Sequence, residues 1–455
     1  MSATTSFARP LFLLRGGTRP DDVAAMTAAV RRRIEDGDGA GRRPLLVPIG
    51  GDEDEATVLS DLSRRLDPSG PAGDPETDIV LRTSGSTTGT GALVAMSMSA
   101  LTASARATHA RLGGDGVWVL ALPAHHVAGL QVLIRSVLAG REPVVVDTGG
   151  GFDPGALADG VERALAAGHG PVRASLVPTQ LVRVLAPGQE RAAAALACAD
   201  VVLLGGAPAD PALLERARAA GVRVVTTYGM SETGGGCVYD GVPLDGVEVC
   251  IEDPDAVGRG RIVLSGPVLA QGYADADRAG SAVFRESRGC RAEIRPGGGG
   301  EGAGGPASPA ARRELLTSDL GRFITGPDGV RTLTVLGRAD EVIITGGIKV
   351  VPREVEQVLT ALPGVQEACV VGLPDAEWGS AVVAVVVPET GEQIGDRSAW
   401  GQRLRAAARQ RLDGAHAPKR VVVAEALPLR GPGKVDRRAA ARLAGEAGVF
   451  GRDFA

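Results

Sequence analysis

Lysine is almost missing from this sequence. Three of its 49 basic residues are lysine, at Lys349, Lys419 and Lys434, and the rest are arginine. Lysine is a compact point charge on a flexible stem, whereas arginine is a broad planar fork. A chain with this bias keeps a lysine mainly where a guanidinium will not serve. Aromatic residues make up 3% of the chain, which leaves any ring-binding pocket to glycine and aliphatic side chains. Cysteine is sparse and odd in number, at Cys198, Cys237, Cys250, Cys290 and Cys369. No pair has metal-ligand spacing and no disulfide framework is visible, so a reducing, cytoplasmic setting is expected. No stretch approaches the roughly 18 apolar residues of a membrane span. The apolar run Leu11 to Leu14 is too short for a signal-peptide core. Positive charge is not in surplus: the formal net charge is −5. With the arginines scattered, neither nucleic-acid binding nor an anionic-membrane surface has electrostatic support.

What remains is a 455-residue globular composition, long enough for two or three domains. Residues 1–75 read as mixed helix and loop. From Ile79, short apolar runs (Ile79–Arg82, Val117–Leu122, Pro143–Val146, Val201–Leu204, Val222–Thr226) alternate with helix-length stretches near 99–111, 128–139, 154–167, 179–186 and 210–220. That alternation predicts α/β layers with a largely parallel sheet. After Tyr228 the texture turns to short strands at Val247–Ile251, Arg261–Leu264 and Arg331–Leu336, a β-rich subdomain. Residues 286–311 are rich in glycine and proline, with almost nothing to bury, and are expected to form a flexible surface insertion. A small α+β unit follows from about 340, with strands at Ala368–Val371 and Val382–Val387 and helices near 353–361 and 399–412.

The sharpest local signal is Thr83-Ser-Gly-Ser-Thr-Thr-Gly-Thr-Gly91, directly after a strand. Small residues let backbone N–H groups curl around a phosphate, and the hydroxyls add donors. It is not a Walker A loop, because no Gly-Lys-Ser/Thr follows and Leu93–Met98 reads as strand. A second constellation, Tyr228-Gly-Met-Ser-Glu-Thr-Gly-Gly-Gly236, ends a strand, where open α/β sheets bind ligands. There a tyrosine face suits a purine, a hydroxyl a phosphate, and the Glu232 carboxylate a magnesium ion. Leu203-Leu-Gly-Gly-Ala-Pro208 lets the backbone approach a planar base. Thr317-Ser-Asp-Leu-Gly321 and Leu336-Gly-Arg-Ala-Asp-Glu-Val342 supply an aspartate and an arginine suited to ribose hydroxyls. Leu427-Pro-Leu-Arg-Gly-Pro-Gly-Lys-Val-Asp436 places one ammonium in a glycine- and proline-rich loop. Each fragment alone also fits an ordinary turn or a solvated loop.

Together, in this order and spacing, these elements resemble the adenylate-forming superfamily of acyl- and aryl-CoA synthetases, adenylation domains and luciferases. The resemblance covers roughly 80 to 450. It implies a large N-terminal adenylate-forming domain, 1–339, and a small mobile C-terminal domain, 340–455, hinged at Asp340. Carried over residue by residue, it implies that Thr83, Ser84, Ser86 and Thr87 hold ATP phosphates. Gly205, Gly206, Ala207, Pro208, Tyr228 and Gly229 would frame the adenylate. Ser231 would touch the α-phosphate and Glu232 would bind Mg2+. Asp319 and Arg338 would hold ribose, and Gly346 and Gly347 would line the CoA channel. Lys434 would be the catalytic lysine. ATP and CoA are the implied co-substrates. One departure stands out: where the family's phosphate loop runs through Pro-Lys, this chain has Thr88-Gly-Thr-Gly-Ala92 and no loop lysine.

The segment Leu122-Pro-Ala-His-His-Val-Ala-Gly-Leu-Gln-Val-Leu-Ile-Arg135 resembles that of o-succinylbenzoate–CoA ligases of menaquinone synthesis. That likeness implies an aromatic acid with two carboxylates, with His126 and Gly229 near the reacting one and Arg135 favouring the other, directly or through water. A packed strand-end histidine and a snorkelling helix arginine are the plain alternatives for these two residues. Other readings stay open: another aryl- or acyl-CoA ligase, a stand-alone adenylating enzyme, or a degenerate nucleotide-binding protein. The oligomeric state, homo-oligomer included, is open too.

Overall fold

The computed structural model describes residues 9–37, 43–83, 91–278, 283–286, 313–389, 394–430 and 434–449, with only the backbone described for Lys434. Ser84, Ser86 and Thr87, and all but the first residue of the 286–311 segment, therefore lie outside the described residues.

Among those residues the N-terminal part carries two α/β sheets and a β-rich sheet. The first sheet runs Leu11–Arg15, Leu45–Ile49, Ile79–Arg82, Leu93–Met96 and Gly272–Tyr273, the first three strands parallel. Two of these strands, with the helices Pro20–Glu35 and Glu55–Arg65, come from the region expected to be helix and loop. Leu45–Ile49 is buried at every position. A five-residue apolar run inside a polar stretch shows no alternation, so periodicity did not reveal it.

The second sheet has seven strands, and the parallel ones run Val144–Val145, Val117–Leu120, Val172–Leu176, Val201–Leu204 and Val224–Met230 in spatial order. Gly235–Tyr239 and Val242–Pro243 extend it antiparallel. The helices between the strands supply its cover; Pro154–Ala166, for example, starts at a proline and is capped by Asp153, which accepts from Gly155 and Ala156 backbone N–H groups. Because the strands are parallel, the segments after Leu120, Leu204 and Met230 collect on one edge. The sequence reading placed the last of these strands too early. It runs on through Tyr228-Gly-Met230, since Gly235–Tyr239 pairs with its end.

A third sheet of Glu248–Glu252, Gly260–Ser265, Arg313–Thr325, Phe284–Glu286 and Arg331–Arg338 forms the β-rich part. The C-terminal unit has a hairpin (Ile343–Thr345 and Ile348–Val350), the helix Pro352–Thr360, and a sheet of Val365–Asp375, Gly379–Pro388 and Arg420–Val423. Its own core centres on Val355, Leu359, Val370, Val382, Ala384 and Trp400. Among the described residues Cys198, Cys237 and Cys369 are free. No helix among the described residues is long and apolar enough to cross a membrane.

Candidate active site

The site grows from the carboxyl edge of the seven-stranded sheet. Thr83 follows the strand Ile79–Arg82 and bonds back to Ala92: its N–H donates to the Ala92 carbonyl at 2.9 Å, and its Oγ1 accepts from the Ala92 N–H at 2.7 Å. Gly205 follows Leu204, its N–H donating to the Leu176 carbonyl at 3.2 Å, and Gly206 to Pro208 lead to the helix Pro211–Ala219.

Tyr228 lies within Val224–Met230, and its hydroxyl donates to Asp319 Oδ2 at 2.8 Å. Burial first, then the Asp319 charge, pushes its phenol well above the ordinary value, so the hydroxyl stays a donor. A hydrogen bond to a charged acceptor of this kind contributes about 1.5–3 kcal/mol. Asp319 pairs in register with Arg338 across Arg313–Thr325 and Arg331–Arg338. Arg338 in turn forms a two-pronged pair with Asp340, Nε to Oδ1 at 2.8 Å and Nη2 to Oδ2 at 2.9 Å. Burial works to raise the Asp340 pKa, but the Arg338 hydrogen bonds and charge hold it below its usual value. The two ribose candidates and the hinge candidate thus form one chain of contacts reaching Tyr228.

Gly229 has no room for a side chain. A Cβ there would stand 2.0 Å from the Gly235 carbonyl oxygen and 2.7 Å from Gly236 Cα, all rigid backbone. Gly229→Ala is expected to force the two strands apart, costing about 1–3 kcal/mol as overpacking does elsewhere. Urea unfolding together with acid-dependent pyrophosphate release would read both losses.

Ser231 and Glu232 lie in the short helical turn Ser231–Thr233 at the strand end. Glu232 Oε1 accepts from the Tyr273 hydroxyl at 2.9 Å, and its carbonyl accepts from Ala270 N–H. Burial raises the Glu232 pKa, with Asp319 adding to the rise and the Tyr273 bond opposing it. Its proton is therefore held more tightly folded than unfolded. The stability tied to that proton is present at low pH and lost as pH rises through the raised value. A divalent cation would reverse this, and a hard oxygen donor short of positive charge fits Mg2+. No cluster of three or more His, Cys, Asp or Glu side chains able to hold a metal is present among the described residues. Glu232 would therefore share the ion with substrate phosphates, as magnesium commonly allows. Tyr273 was missed in the sequence, although it is one of only three tyrosines in an aromatic-poor chain.

His126 occupies the position just before the helix Val127–Leu138 and makes no side-chain capping bond. That helix packs on the same loop: Gln131 Nε2 donates to the Gly234 carbonyl at 2.7 Å. The His125 and His126 ring centroids are 4.3 Å apart. His125, also missed, is half-buried, with Nδ1 shielded from solvent and unpartnered, and desolvation lowers its pKa, with Glu53 countering and Arg82 adding to the fall. Arg82, immediately before Thr83, is held by both Glu53 oxygens at 2.8 and 2.9 Å.

Arg135 is not brought into this group. It lies one turn beyond Gln131, is 3% exposed, stacks 4.8 Å from the Trp118 ring centroid and approaches the Tyr239 hydroxyl at 3.4 Å. It does not snorkel. The nine residues from His126 to Arg135 span about 13.5 Å of helix axis, enough to separate the two ends into reaction edge and core.

Gly346 and Gly347 form the turn of the C-terminal hairpin. Lys434 pairs with Arg430 in a two-stranded ribbon. Three residues on, Arg437 binds Glu341 at 3.0 Å through Nε, Glu356 through both Nη atoms and the Val370 carbonyl at 2.9 Å. This ties the lysine-bearing ribbon to the residue just after Asp340.

Residues 23–274 match the model of AMP-binding enzymes, and residues 354–434 match that of the AMP-binding enzyme C-terminal domain. A Mycobacterium tuberculosis protein named "Probable 2-succinylbenzoate--CoA ligase" is 43% identical over 380 residues, covering 82% of this chain and 86% of that one. The 2-succinylbenzoate–CoA ligase of Enterococcus faecalis is 28% identical over 73% of this chain and 63% of its own length. The o-succinylbenzoate CoA synthetase of Bacillus subtilis, solved with the acyl-adenylate OSB-AMP, superposes with a TM-score of 0.66 at 23% identity, covering 95% of this chain and 88% of that one. ATP-bound MatB from Rhodopseudomonas palustris gives 0.67 at 21% identity, covering 96% of each. At such identities the structural likeness speaks for the fold, and the sequence matches speak for descent. The chain belongs to the AMP-binding, adenylate-forming family of enzymes.

Proposed function

We propose that this chain is an ATP-dependent 2-succinylbenzoate–CoA ligase. The observation that carries the reading is one strand end, Tyr228 to Glu232, in a chain whose long-matching relatives bear that name. Tyr228 is locked on Asp319 there, and a half-buried carboxylate sits four residues on. The aliphatic carboxylate oxygen attacks the α-phosphorus of ATP. The bond to the β-phosphate breaks, and pyrophosphate leaves. Tyr228 and the Gly205–Pro208 turn hold the base, and Asp319 with Arg338 orients the ribose. Glu232 would hold Mg2+, which when bound would neutralise the phosphates' charge. Lys434 stabilises charge growing between carboxylate and phosphate.

The C-terminal domain then turns about Asp340, withdrawing Lys434 and bringing Gly346 and Gly347 to the acyl-adenylate. The CoA sulfur attacks the acyl carbon, its proton is lost, and the bond to AMP breaks. One small cavity cannot hold both the pyrophosphate machinery and an open thiol channel, so a domain motion is required. His126 lies beside the reacting carboxylate. Arg135 acts at a distance, as a buried cation without an acidic partner among the described residues.

A pyrophosphate-release assay over a panel of acids, with and without CoA, tests this. Turnover is expected on 2-succinylbenzoate and its thioester is expected as product. Strong turnover on benzoates or fatty acids with none on 2-succinylbenzoate would reject the substrate. ATP binding with no acid-dependent release would reject the enzyme.

A further inference from the structure

The segment Thr83–Gly91 offers hydroxyls and glycines but no charge, and the next basic residue along the chain is Arg106. The triphosphate of ATP carries more negative charge than one Mg2+ cancels, and phosphate sites commonly add a lysine or an arginine. Arg82 ends the strand Ile79–Arg82, directly before Thr83, and pairs in register with Leu93. A second arginine reaches this place from the other side. Arg65, however, is committed to Asp61, Asp275 and the Gly91 carbonyl.

The strand ends bring Arg82 to the reaction edge. Leu11–Arg15, Leu45–Ile49 and Ile79–Arg82 run parallel, so their carboxyl ends lie together. These ends meet the loop that precedes Val127–Leu138. The Gly17 carbonyl accepts from the Ala124 N–H at 2.9 Å, and a Cβ on Gly16 would stand 2.7 Å from His125 Cβ. Arg82 and Glu53 both act on the His125 ring through their charge. Arg82 thus stands between Thr83, a phosphate candidate, and the histidines of the acid side.

The guanidinium is held from one side. Among the described residues Nη1 alone is bonded, by both Glu53 oxygens at 2.8 and 2.9 Å, and the Nε–Nη2 edge is open. Glu53 is itself fixed, since it accepts from the Gly50 N–H. Burial works to raise the Glu53 pKa, but the Gly50 N–H and Arg82 hold it below its usual value, so the pair is charged. The two side chains are 28% and 38% exposed. An ion pair screened by water in this way adds little to stability, so the fold does not account for it. Arg15 and Arg19, in the same corner, are 41% and 59% exposed and pair with Glu55 and Asp52.

We propose that Arg82 is a phosphate-binding residue of the adenylation half-reaction, its open edge donating to the outer phosphates of ATP. An arginine edge matches two phosphate oxygens at once. Glu53 is the resting partner that keeps the guanidinium at the edge, and its charge opposes the incoming phosphates. The strand end thereby supplies the cation that Thr83–Gly91 lacks. This rests on the reading that the chain adenylates an acid with ATP.

Steady-state pyrophosphate release and AMP binding test it. Arg82→Gln is expected to raise KM for MgATP about 10- to 100-fold, the scale of a charged hydrogen bond lost. KM for the acid, affinity for AMP and thioester formation from supplied acyl-adenylate should stay within about twofold, because none of them involves the outer phosphates. Glu53→Gln should lower KM for MgATP about two- to fivefold, the scale of a partly exposed ion pair. A pair that served only the fold would instead give losses of the same sign in both variants. Glu53→Gln keeps the arginine, so its sign decides the matter should Arg82→Gln fail to fold. An unchanged KM for MgATP in Arg82→Gln, an equal loss of AMP affinity, or a raised KM in Glu53→Gln would overturn the inference. Absence of acid-dependent pyrophosphate release in the unsubstituted enzyme would overturn the functional reading beneath it.

Discussion

Lys434→Ala should cut acid-dependent pyrophosphate release by about 10²- to 10³-fold, the range seen when one preorganised charge stabiliser is removed. Thioester formation from supplied acyl-adenylate should remain within a few-fold of the parent enzyme. The asymmetry follows from the proposed mechanism. There the ammonium would be needed where carboxylate and α-phosphate carry developing charge, and would have left when the thiol attacks. Only two other lysines, Lys349 and Lys419, stand in the chain. Arginine at 434 should rescue poorly, since a planar fork does not reproduce a compact charge in a crowded cleft. Equal loss in both half-reactions would mean that the lysine is structural or that the lobe does not turn.

Arg437→Ala should produce the largest loss of stability, concentrated in the C-terminal domain. The guanidinium bridges Glu341, Glu356 and the Val370 carbonyl at once. Burial raises the Glu341 pKa while Arg437 works to lower it. Removing the cation leaves two carboxylates facing each other in a half-buried site. Breaking a fully buried pair costs about 3–5 kcal/mol, and partial exposure reduces this to about 2–3 kcal/mol. Adenylation should fall with it, because the ribbon carrying Lys434 loses its tie to the segment after Asp340. Denaturant unfolding followed by Trp400 fluorescence, in a chain with Trp118 and Trp378 replaced by phenylalanine, reports the C-terminal core directly. Arg437→Lys, which keeps the charge but not the fork, should recover only part of the loss. Full stability in Arg437→Ala would show that the network contributes nothing.

Most of the architecture from Ile79 onward was legible, because a parallel sheet writes itself as buried apolar runs between amphipathic stretches. The strand Val201–Leu204 and the helix beginning at Pro154 fall where the pattern puts them. Strands in the first 75 residues were not legible, since Leu11–Arg15 and Leu45–Ile49 are five residues each and carry no alternation that separates them from loop. The candidate site divides the same way. Tyr228, Glu232, Asp319 and Arg338 stand out because their chemistry is compressed into short glycine-rich segments. Tyr273, His125 and Arg437 do not, because each is a single residue whose meaning depends on a partner tens of residues away.

Local sequence by itself determined most of the strands and helices from Ile79 onward, and that Lys434 is one of three lysines in a chain whose other basic residues are arginine. Backbone geometry and side-chain chemistry are properties of neighbours along the chain. Only the folded arrangement decided that Arg135 belongs to the core beside Trp118, that Asp340 engages Arg338, and that Glu53 holds Arg82. Those outcomes rest on distances across sheets and between lobes, and burial and partner charge at such distances follow from packing rather than from spacing in sequence.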